Sequence, residues 1–381
     1  MKAGWRTVPM GELCTIKNGK SDTQDAVDDG EFAFFDRSKK IKRSSQYLFD
    51  CEALIIPGEG TEFLPRHFSG KFDLHQRAYA LFEPIDKLDI RYLYHYLHYR
   101  SDYFPTVAVG ATVKSLRMRH FEKLPVQLTN LQEQQRIVAI LDEACEGLAT
   151  AAKNVEKNLS NARELFECHL QIIFVQQDAS WVYKRLGDLA SFRNGINFTK
   201  SSKGEAIEIV GVRNFKNHFH AQVENLDSVI TEGSLPDSDL LKKNDVLFVR
   251  SNGNLELIGR CILIGELERK TTFSGFTIRA RLEGDSVTPE YLCHFLKSKT
   301  ARKTMIDGGN GVNIKSLNQT TLSNLVIPYP PSVKDQKAVV DKLEDLFSYV
   351  QSLESVYQQK FNALAELKKS ILHQAFTGQL Q

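Results

Sequence analysis

The amino-acid sequence repeats itself, and this duplication constrains the fold more than any single motif does. Trp5 opens the pattern Trp-x-x-x-x-Met-Gly-Glu-Leu-x-x-x-Lys-Asn-Gly, and Trp181 opens a close copy of that pattern 176 positions later. The ordered matches that follow are Arg37 with Arg213, Lys40 with Lys216, 53–56 with 246–249, Gly60 with Gly253, 92–97 with 291–296, 114–116 with 315–317, 133–134 with 335–336, and Phe174 with Phe376. The sequence therefore predicts two copies of one structural unit.

Each copy has two parts. The first contains short apolar runs, such as 53–56, 245–249 and 261–264, broken by Gly and Asn, with a helix near 92–100 or 291–299. This pattern predicts a duplicated mixed α/β (α+β) domain.

The second part of each copy is a helix. Apolar residues recur at alternating steps of four and three from Leu141 to Leu170 and from Leu343 to Ile371, which is typical of a coiled coil. An amphipathic helix lying on a globular core is the alternative. A run of about 40 residues spans roughly 60 Å, more than a small core can cover, and this length favours the coiled coil.

The linker lengths predict how the parts connect. The first helix ends near Phe174 and the second domain begins by Trp181; that domain closes near Pro328, and the second helix starts around Val333. Because both connections are short, the second helix begins at the end of the first helix and must run antiparallel to it. We therefore expect two mixed α/β domains at opposite ends of an antiparallel two-helix coiled coil, related by a pseudo-twofold axis.

Composition excludes several classes of protein. The chain has 381 residues, of which 42% are hydrophobic and 25% charged, so global disorder is not expected. The six cysteines are scattered without a Cys-x-x-Cys pair, which disfavours a disulfide framework or a zinc ribbon. The sequence has no apolar run long enough for a membrane span or a signal peptide, and we expect a cytoplasmic protein.

The net charge of the chain is only +2, so overall charge does not indicate a nucleic-acid ligand. Local clusters of basic residues do indicate one, and they favour duplex DNA. DNA-binding proteins with twofold symmetry read paired half-sites. Candidate contacts in the first copy are Arg37, Lys39, Lys40, Lys42 and Arg43, which follow the apolar run 32–35; in the second copy they are Arg213, Asn214 and Lys216, near the run 207–212. Such side chains neutralise phosphates and reach base edges. The alternative is an ordinary solvated loop.

A second candidate loop follows the next apolar run. Arg250, Ser251, Asn252 and Asn254 present a guanidinium and two amides, the groups that make bidentate contacts with guanine and adenine. A polar hairpin turn is the alternative for this loop. The Lys-Ser-Leu motif adds Lys114 and Lys315, which either contact phosphate or start a short helix.

The whole chain resembles the specificity subunit of type I restriction–modification systems. The resemblance rests on two variable domains that alternate with helices opening Glu-x-x-x-Ile-Val at 133–138 and Asp-x-x-x-Val-Val at 335–340, on Lys-Ser-Leu before each helix, and on Phe-Thr-Gly at 376–378. It implies target-recognition domains at 1–127 and 178–328, and spacer helices at 128–177 and 329–381. The first domain lacks the arginine of the 250 loop.

The resemblance also implies partners and a ligand. It implies an asymmetric bipartite site in double-stranded DNA, two docked methyltransferase subunits, and restriction–translocation subunits that join them. S-adenosylmethionine and ATP are then expected on those partners, and no cofactor on this chain.

Catalytic motifs do not occur in the required order. Gly-Gly-Asn-Gly at 308–311 and Pro-Tyr-Pro-Pro at 328–331 do not form a methyltransferase pattern, and Cys14 stands where the phosphate-binding loop that Gly19-Lys-Ser resembles needs a glycine. We therefore expect a non-catalytic DNA-recognition subunit with no metal site. The alternatives are a non-catalytic coiled-coil scaffold and the specificity part of a fused restriction–modification enzyme.

Overall fold

The computed structural model describes residues 4–175, 179–198, 203–215, 219–224, 226–308 and 316–380. Contacts divide the chain into two units. Unit 1 consists of Met1–Lys157 and Tyr357–Gln381, and unit 2 of Asn158–Val356. Each unit contains one globular domain together with part of each of two long helices.

The domain of unit 1 is built on one mixed sheet. Its strands are β1 (Arg6–Pro9), β2 (Thr15–Asn18), β3 (Phe32–Phe35), β4 (Lys42–Ser44), β5 (Phe49–Pro57), β6 (Arg66–Leu74), β7 (Ala78–Phe82) and β8 (Pro125–Leu128). Its helices are α1 (Ile90–Tyr99), α2 (Tyr103–Val107), α3 (Met118–Glu122) and the start of α4 (Leu131–Val175). Six strands form a sheet in the order β2-β7-β5-β6-β3-β4, and β1 pairs separately with β8.

The second half of the central strand β5, residues 53–57, is buried on both faces. Leu54 and Ile56 belong to the core that the domain shares with the long helices, whereas Ala53 and Ile55 belong to a second core on the opposite face. Because successive side chains of a strand point to opposite faces, a strand between two cores has no polar positions. This explains the uninterrupted apolar run at 53–56.

The domain of unit 2 repeats this plan with the sheet divided in two. Its strands are β9 (Val182–Arg185), β10 (Ala190–Asn194), β11 (Ala206–Val210), β12 (Asp227–Ile230), β13 (Val246–Val249), β14 (Cys261–Leu263), β15 (Thr271–Phe273), β16 (Thr277–Leu282) and β17 (Val326–Tyr329). Its helices are α5 (Pro289–Lys297), α6 (Lys299–Asp307), α7 (Gln319–Ser323) and the start of α8 (Val333–Thr377).

The two sheets of unit 2 are ordered β10-β16-β13-β14 and β12-β11-β15. In unit 1 the long strand β6 pairs antiparallel with β5 and parallel with β3. In unit 2 the same two roles are divided between β14, which pairs with β13, and β15, which pairs in parallel with β11. Residues 264–270 separate β14 from β15. Because no single strand spans both pairings, the strands of unit 2 form two sheets where unit 1 has one.

The glycine of the repeated Asn-Gly pair has the same packing reason in both units. A Cβ at Gly19 would lie 1.9 Å from the carbonyl oxygen of Leu74, and one at Gly195 would lie 2.1 Å from that of Ser274. Real Cβ atoms do not approach a carbonyl oxygen so closely. Only glycine therefore allows the first strand of the sheet to continue past the end of β6 or β15.

The register of one repeated strand differs from the sequence match by one residue. Leu54 and Ile56 face the helix-side core of unit 1, and Val246 and Phe248 face that of unit 2. Leu54 is therefore equivalent to Val246, whereas the sequence match of 53–56 with 246–249 pairs Ala53 with Val246 and is wrong. A slip of one residue exchanges the two faces of a strand. Sequence comparison missed the slip because both faces are apolar.

A buried glutamine attaches the start of each long helix to its domain. Gln134 is fully buried; its Oε1 accepts a hydrogen bond from the Asp89 amide at 2.9 Å, and its Nε2 donates to the carbonyls of Lys87 and Thr129 at 2.8 and 2.7 Å.

Gln336 makes the same three bonds in unit 2. It accepts from the Thr288 amide at 2.9 Å and donates to the carbonyls of Ser286 and Pro330 at 2.8 and 2.9 Å. The side chain of each glutamine joins the start of a long helix to the start of α1 or α5.

The end of α8 packs on α1 in unit 1, and the end of α4 packs on α5 in unit 2. The ring of Phe376 lies 5.2 Å from that of Tyr92 and 5.1 Å from that of Tyr96 in unit 1. In unit 2 the ring of Phe174 lies 5.7 Å from that of Tyr291. These contacts confirm the match of Phe174 with Phe376 and hence the duplication.

The two long helices contact each other within each unit. Leu141 of α4 and Leu372 of α8 belong to one core in unit 1. In unit 2 the rings of Phe166 and Phe347 lie 5.4 Å apart, and Arg163 Nε lies 2.7 Å from Glu354 Oε1.

Within the described ranges no helix is both long and apolar enough to cross a membrane. The domain limits at 127, 177 and 328 stay a prediction.

Replacing Gln134 with alanine should destabilise unit 1 by about 3 kcal/mol, because the change removes all three hydrogen bonds of a fully buried side chain and leaves the buried Thr129 carbonyl without this partner. Urea unfolding of the full chain measures the loss. Gln135→Ala is the matched control, since Gln135 is the next residue of the same helix and is exposed. Equal midpoints for the two variants would contradict the role of the buried side chain.

Candidate nucleic-acid interface

Four loops of unit 1 lie together and are called here loop face 1: residues 36–41, 58–65, 75–77 and 108–117. The Gly58 amide donates to the Arg77 carbonyl at 2.8 Å, and the Gly60 amide to the Lys114 carbonyl at 3.0 Å. The His75 amide donates to the Phe35 carbonyl at 2.9 Å. These bonds bring segments that are far apart in sequence onto one surface.

Three of the five clustered basic residues are on this loop face. Arg37, Lys39 and Lys40 are exposed. Lys39 Nζ lies 3.0 Å from Glu62 Oε2, and both side chains are more than half exposed. Because such a surface pair is weak, Lys39 can exchange its partner for a phosphate at little cost.

Lys42 and Arg43 lie on strand β4 and not on the loop, which corrects their expected placement. Lys42 Nζ lies 2.7 Å from Asp36, whose side chain is only 3% exposed. Burial raises the pKa of Asp36, but the hydrogen bonds from Lys42 and Ser38 outweigh it and lower the pKa overall. The Arg43 guanidinium donates to the Gly30 and Glu31 carbonyls at 2.9 and 2.7 Å. Both cations thus stabilise the domain itself.

In the first candidate loop of unit 2, as on β4 of unit 1, polar side chains bond to other groups of the same domain. Arg213 lies in the short turn Val212–Phe215 and pairs with Asp227 at 2.5 Å, with both side chains more than half exposed. Asn214 Oδ1 accepts from the Gly211 amide at 2.9 Å. Lys216 and Lys315 lie outside the described residues.

The loop that begins at Arg250 and ends at Asn254 is a structured turn. Asn252 Oδ1 accepts from the Asn254 amide, and Asn254 Oδ1 accepts from the Glu256 amide, both at 2.9 Å. These bonds use the amide oxygens and leave the amide NH₂ groups as donors. Arg250 and Ser251, which precede the asparagines, are half-buried.

The Lys-Ser-Leu motif does not start a helix in unit 1. Lys114 is exposed, Ser115 forms β-bridges with Glu59 and Val109, and helix α3 begins only at Met118. The Leu116 amide donates to the Gly58 carbonyl at 2.8 Å. The motif therefore fastens the last loop of the face to the end of β5, and a phosphate contact is the interpretation of Lys114 that remains.

Sequence reasoning missed two residues at equivalent places. Arg77 and Phe276 precede β7 and β16, and both are exposed. Their separation of 199 is the one that relates Tyr92 to Tyr291. Extending that offset backwards from the helix would have paired them. DNA contacts by any residue of these loops stay a prediction.

The described part of the chain contains no group of three His, Cys, Asp or Glu side chains arranged to hold a metal ion. The six cysteines, all in the described ranges, are free.

A family model for the type I restriction modification DNA specificity domain matches residues 2–157 and 179–360. The chain belongs to this family. The two separate matches agree with the duplication, one match falling on each copy. This confirms the family that the repeated motifs and spacer helices indicated.

Specificity subunits of known restriction enzymes are similar to this member of the family over nearly their whole length. The EcoDI specificity subunit of Escherichia coli is 22% identical, over 99% of this chain and 88% of that protein. The EcoKI specificity subunit of Escherichia coli K12 is 23% identical, over 98% and 82% respectively. Both are named as specificity subunits of a restriction enzyme, in agreement with the expected non-catalytic role.

Two solved structures share the fold. One, from work on complex assembly and conformational transition of the type I restriction–modification system, superposes with a TM-score of 0.77 at 16% identity, covering 100% of this chain and 99% of that one. The HsdS subunit from Thermoanaerobacter tengcongensis gives a TM-score of 0.54 at 15% identity, covering 100% and 98%. The mixed α/β fold with two long helices is thereby confirmed.

Proposed function

We propose that this chain is the specificity subunit of a type I restriction–modification complex and reads an asymmetric bipartite DNA site, one half-site with each domain. Its two domains share one backbone plan but differ in the side chains of their loops. Where unit 2 has Arg250 after β13, unit 1 has the glycine Gly58 after β5. Equivalent loops with unequal hydrogen-bond donors suit two unequal half-sites, and this observation carries the proposal.

Binding on these loops combines charge with base contacts. Arg37, Lys40 and Lys114 are exposed on loop face 1 and can neutralise phosphates. In unit 2 the Arg250 guanidinium and the NH₂ groups of Asn252 and Asn254 are donors suited to base edges. Phosphate contacts position the protein and base contacts select the sequence.

Replacing Arg250 with alanine should cost about 1–3 kcal/mol of binding and relax selectivity in one half-site only, as expected for a base contact. Selection of duplexes from a random library by the full chain, followed by sequencing, measures both effects. Arg269→Ala is the control, because Arg269 is an exposed arginine of the same unit that pairs with Glu208 at 3.2 Å.

A uniform loss across all sequences would instead assign Arg250 to a phosphate. If the chain were instead a non-catalytic coiled-coil scaffold, the unmodified protein would show no salt-dependent affinity for DNA.

The catalytic work belongs to partners in this proposal. Two methyltransferase subunits would dock on the chain and bind S-adenosylmethionine, and restriction–translocation subunits would join them and use ATP. This chain would need no cofactor of its own. A complex that acts on the cell's own DNA belongs in the cytoplasm, which is the compartment we propose.

The stoichiometry follows from the duplication. Each unit presents the start of one long helix and the end of the other against an equivalent domain, so a partner that recognises one unit meets a related surface on the other. Light scattering of the chain purified with its methyltransferase should give the mass of one chain plus two methyltransferases. A mass of one plus one would contradict two equivalent docking surfaces.

We further propose that α4 and α8 pair antiparallel as a coiled coil and set the separation of the half-sites. The contacts of Phe166 with Phe347 in unit 2, and the core shared by Leu141 and Leu372 in unit 1, support this. In both pairs a residue early in one helix meets a residue late in the other, which is antiparallel order.

An added heptad tests whether the helices act as this ruler. Seven residues inserted after Lys153 and seven after Ser355 keep the apolar period and lengthen the pair by about 10 Å. That equals about three base pairs of axial length, but three base pairs rotate duplex DNA by roughly 100°, whereas a heptad departs from whole helical turns by only about 20°.

The lengthened chain should therefore bind the native bipartite site much more weakly, and a spacer longer by three base pairs should not restore the affinity. Fluorescence anisotropy with the two duplexes measures this, and a single half-site serves as the control. Unchanged affinity for the native site would show that the helices do not set the spacing.

A further inference from the structure

Backbone hydrogen bonds define which loop residues of the two units are equivalent. In unit 1, the Gly58 amide donates to the Arg77 carbonyl and the Gly58 carbonyl accepts from the Leu116 amide, both at 2.8 Å. In unit 2, Arg250 makes the same two bonds, with Phe276 and Leu317, also at 2.8 Å. Gly58 is thus the structural counterpart of Arg250, and Arg77 is that of Phe276.

Unit 1 cannot carry an arginine at the position of Gly58. A Cβ there would lie 2.3 Å from the Arg77 carbonyl oxygen and 2.7 Å from the ring of Tyr79. In unit 2 the residue equivalent to Tyr79 is Ile278, which has no aromatic ring. The ring in unit 1 and the close backbone approach together exclude a side chain on this strand.

The opposite strand supplies a guanidinium instead. Arg77 lies across the hydrogen-bonded pair from Gly58, and its side chain is 62% exposed. In unit 2 the same position holds Phe276, which is 59% exposed and has no side-chain hydrogen-bond donor. Each unit therefore has one arginine in this residue pair: Arg77, before β7, in unit 1 and Arg250, after β13, in unit 2.

Two neighbours orient the Arg77 side chain. The Glu59 carboxylate forms an ion pair with Arg77, and the hydroxyl of Ser115 donates to the same carboxylate at 3.1 Å. Burial raises the pKa of Glu59, but the hydrogen bonds from Arg77 and Ser115 lower it overall, so the carboxylate is ionised at neutral pH. A carboxylate beside a guanidinium opposes phosphate binding and fixes the direction of the planar fork.

We propose that Arg77 is the guanine-contacting residue of unit 1, with Glu59 as its positioning residue, and that it does for one half-site what Arg250 does for the other. This inference rests on the proposed function. A guanidinium held in one orientation can donate two hydrogen bonds to O6 and N7 of guanine in the major groove, and this contact distinguishes guanine from the other bases. Lysine lacks the planar fork and cannot replace arginine in it.

Selection from a random duplex library by the full chain tests the assignment. The unmodified protein should select a bipartite consensus. Arg77→Ala and Arg77→Lys should each reduce the preference for guanine at one position by about tenfold, in the half-site that Arg250→Ala leaves unchanged. Because lysine keeps the charge, Arg77→Lys should bind random DNA as well as the unmodified chain does.

Glu59→Gln separates positioning from charge. It should weaken the preference for guanine at the same position, because Arg77 loses its anchor, yet strengthen binding to random DNA, because a negative charge leaves the surface. Arg136→Ala on α4, an arginine that pairs with Glu133 at 2.9 Å, is the control and should leave both halves of the consensus unchanged. Urea unfolding should show that both Arg77 variants still fold cooperatively, with Arg77→Ala somewhat less stable because the largely buried Glu59 carboxylate loses its ion pair.

Three results would overturn the assignment. Full selectivity in Arg77→Lys would make Arg77 a phosphate contact. Loss of selectivity in the same half-site for Arg77→Ala and Arg250→Ala would show that the two arginines are not counterparts. If the unmodified chain selects no bipartite consensus at all, the proposed function is wrong, and this inference, which rests on it, is wrong as well.

Discussion

One buried glutamine side chain fixes how each domain meets the start of a long helix. Gln134 and Gln336 are fully buried, and each bonds to one amide and two carbonyls, of which one carbonyl in each unit is buried. Leaving such groups unpaired is costly, so helix and domain have one favourable arrangement. Phe376 and Phe174 bring the end of the other helix to the same place. Each domain is thus held by two helix ends, and its loops have a defined direction relative to both.

Duplication on this frame permits divergence at the loops without loss of the fold. The pairing of β1 with β8 recurs as that of β9 with β17, and Gly19 recurs as Gly195 for the same steric reason. The long strand β6 is divided in unit 2, yet both of its pairings survive. Loop residues lie outside these pairings, and there the two units differ most. This separation of frame from loops suits the proposed reading of two unequal half-sites.

Part of the candidate interface was predictable because it is local in sequence. Arg37, Lys39 and Lys40 follow a strand and are exposed on a loop, as their pattern indicated. Lys42 and Arg43 belong to the same charged run, yet they bond to Asp36, Gly30 and Glu31. A run of charges shows that cations are present but not which of them already have partners, since that depends on how the chain folds back on itself.

The sequence by itself determined the duplication, the two long helices, the mixed α/β class and the family, because these depend on periodicity and on ordered motifs along the chain. Only the tertiary structure decided which residues of β5 and β13 are equivalent, and with them the equivalence of Gly58 with Arg250. Strands buried on both faces are apolar throughout, so their residues do not record which face each one occupies. Arg77 and Gly58 become neighbours only through pairing across the sheet, and no spacing along the chain specifies that contact.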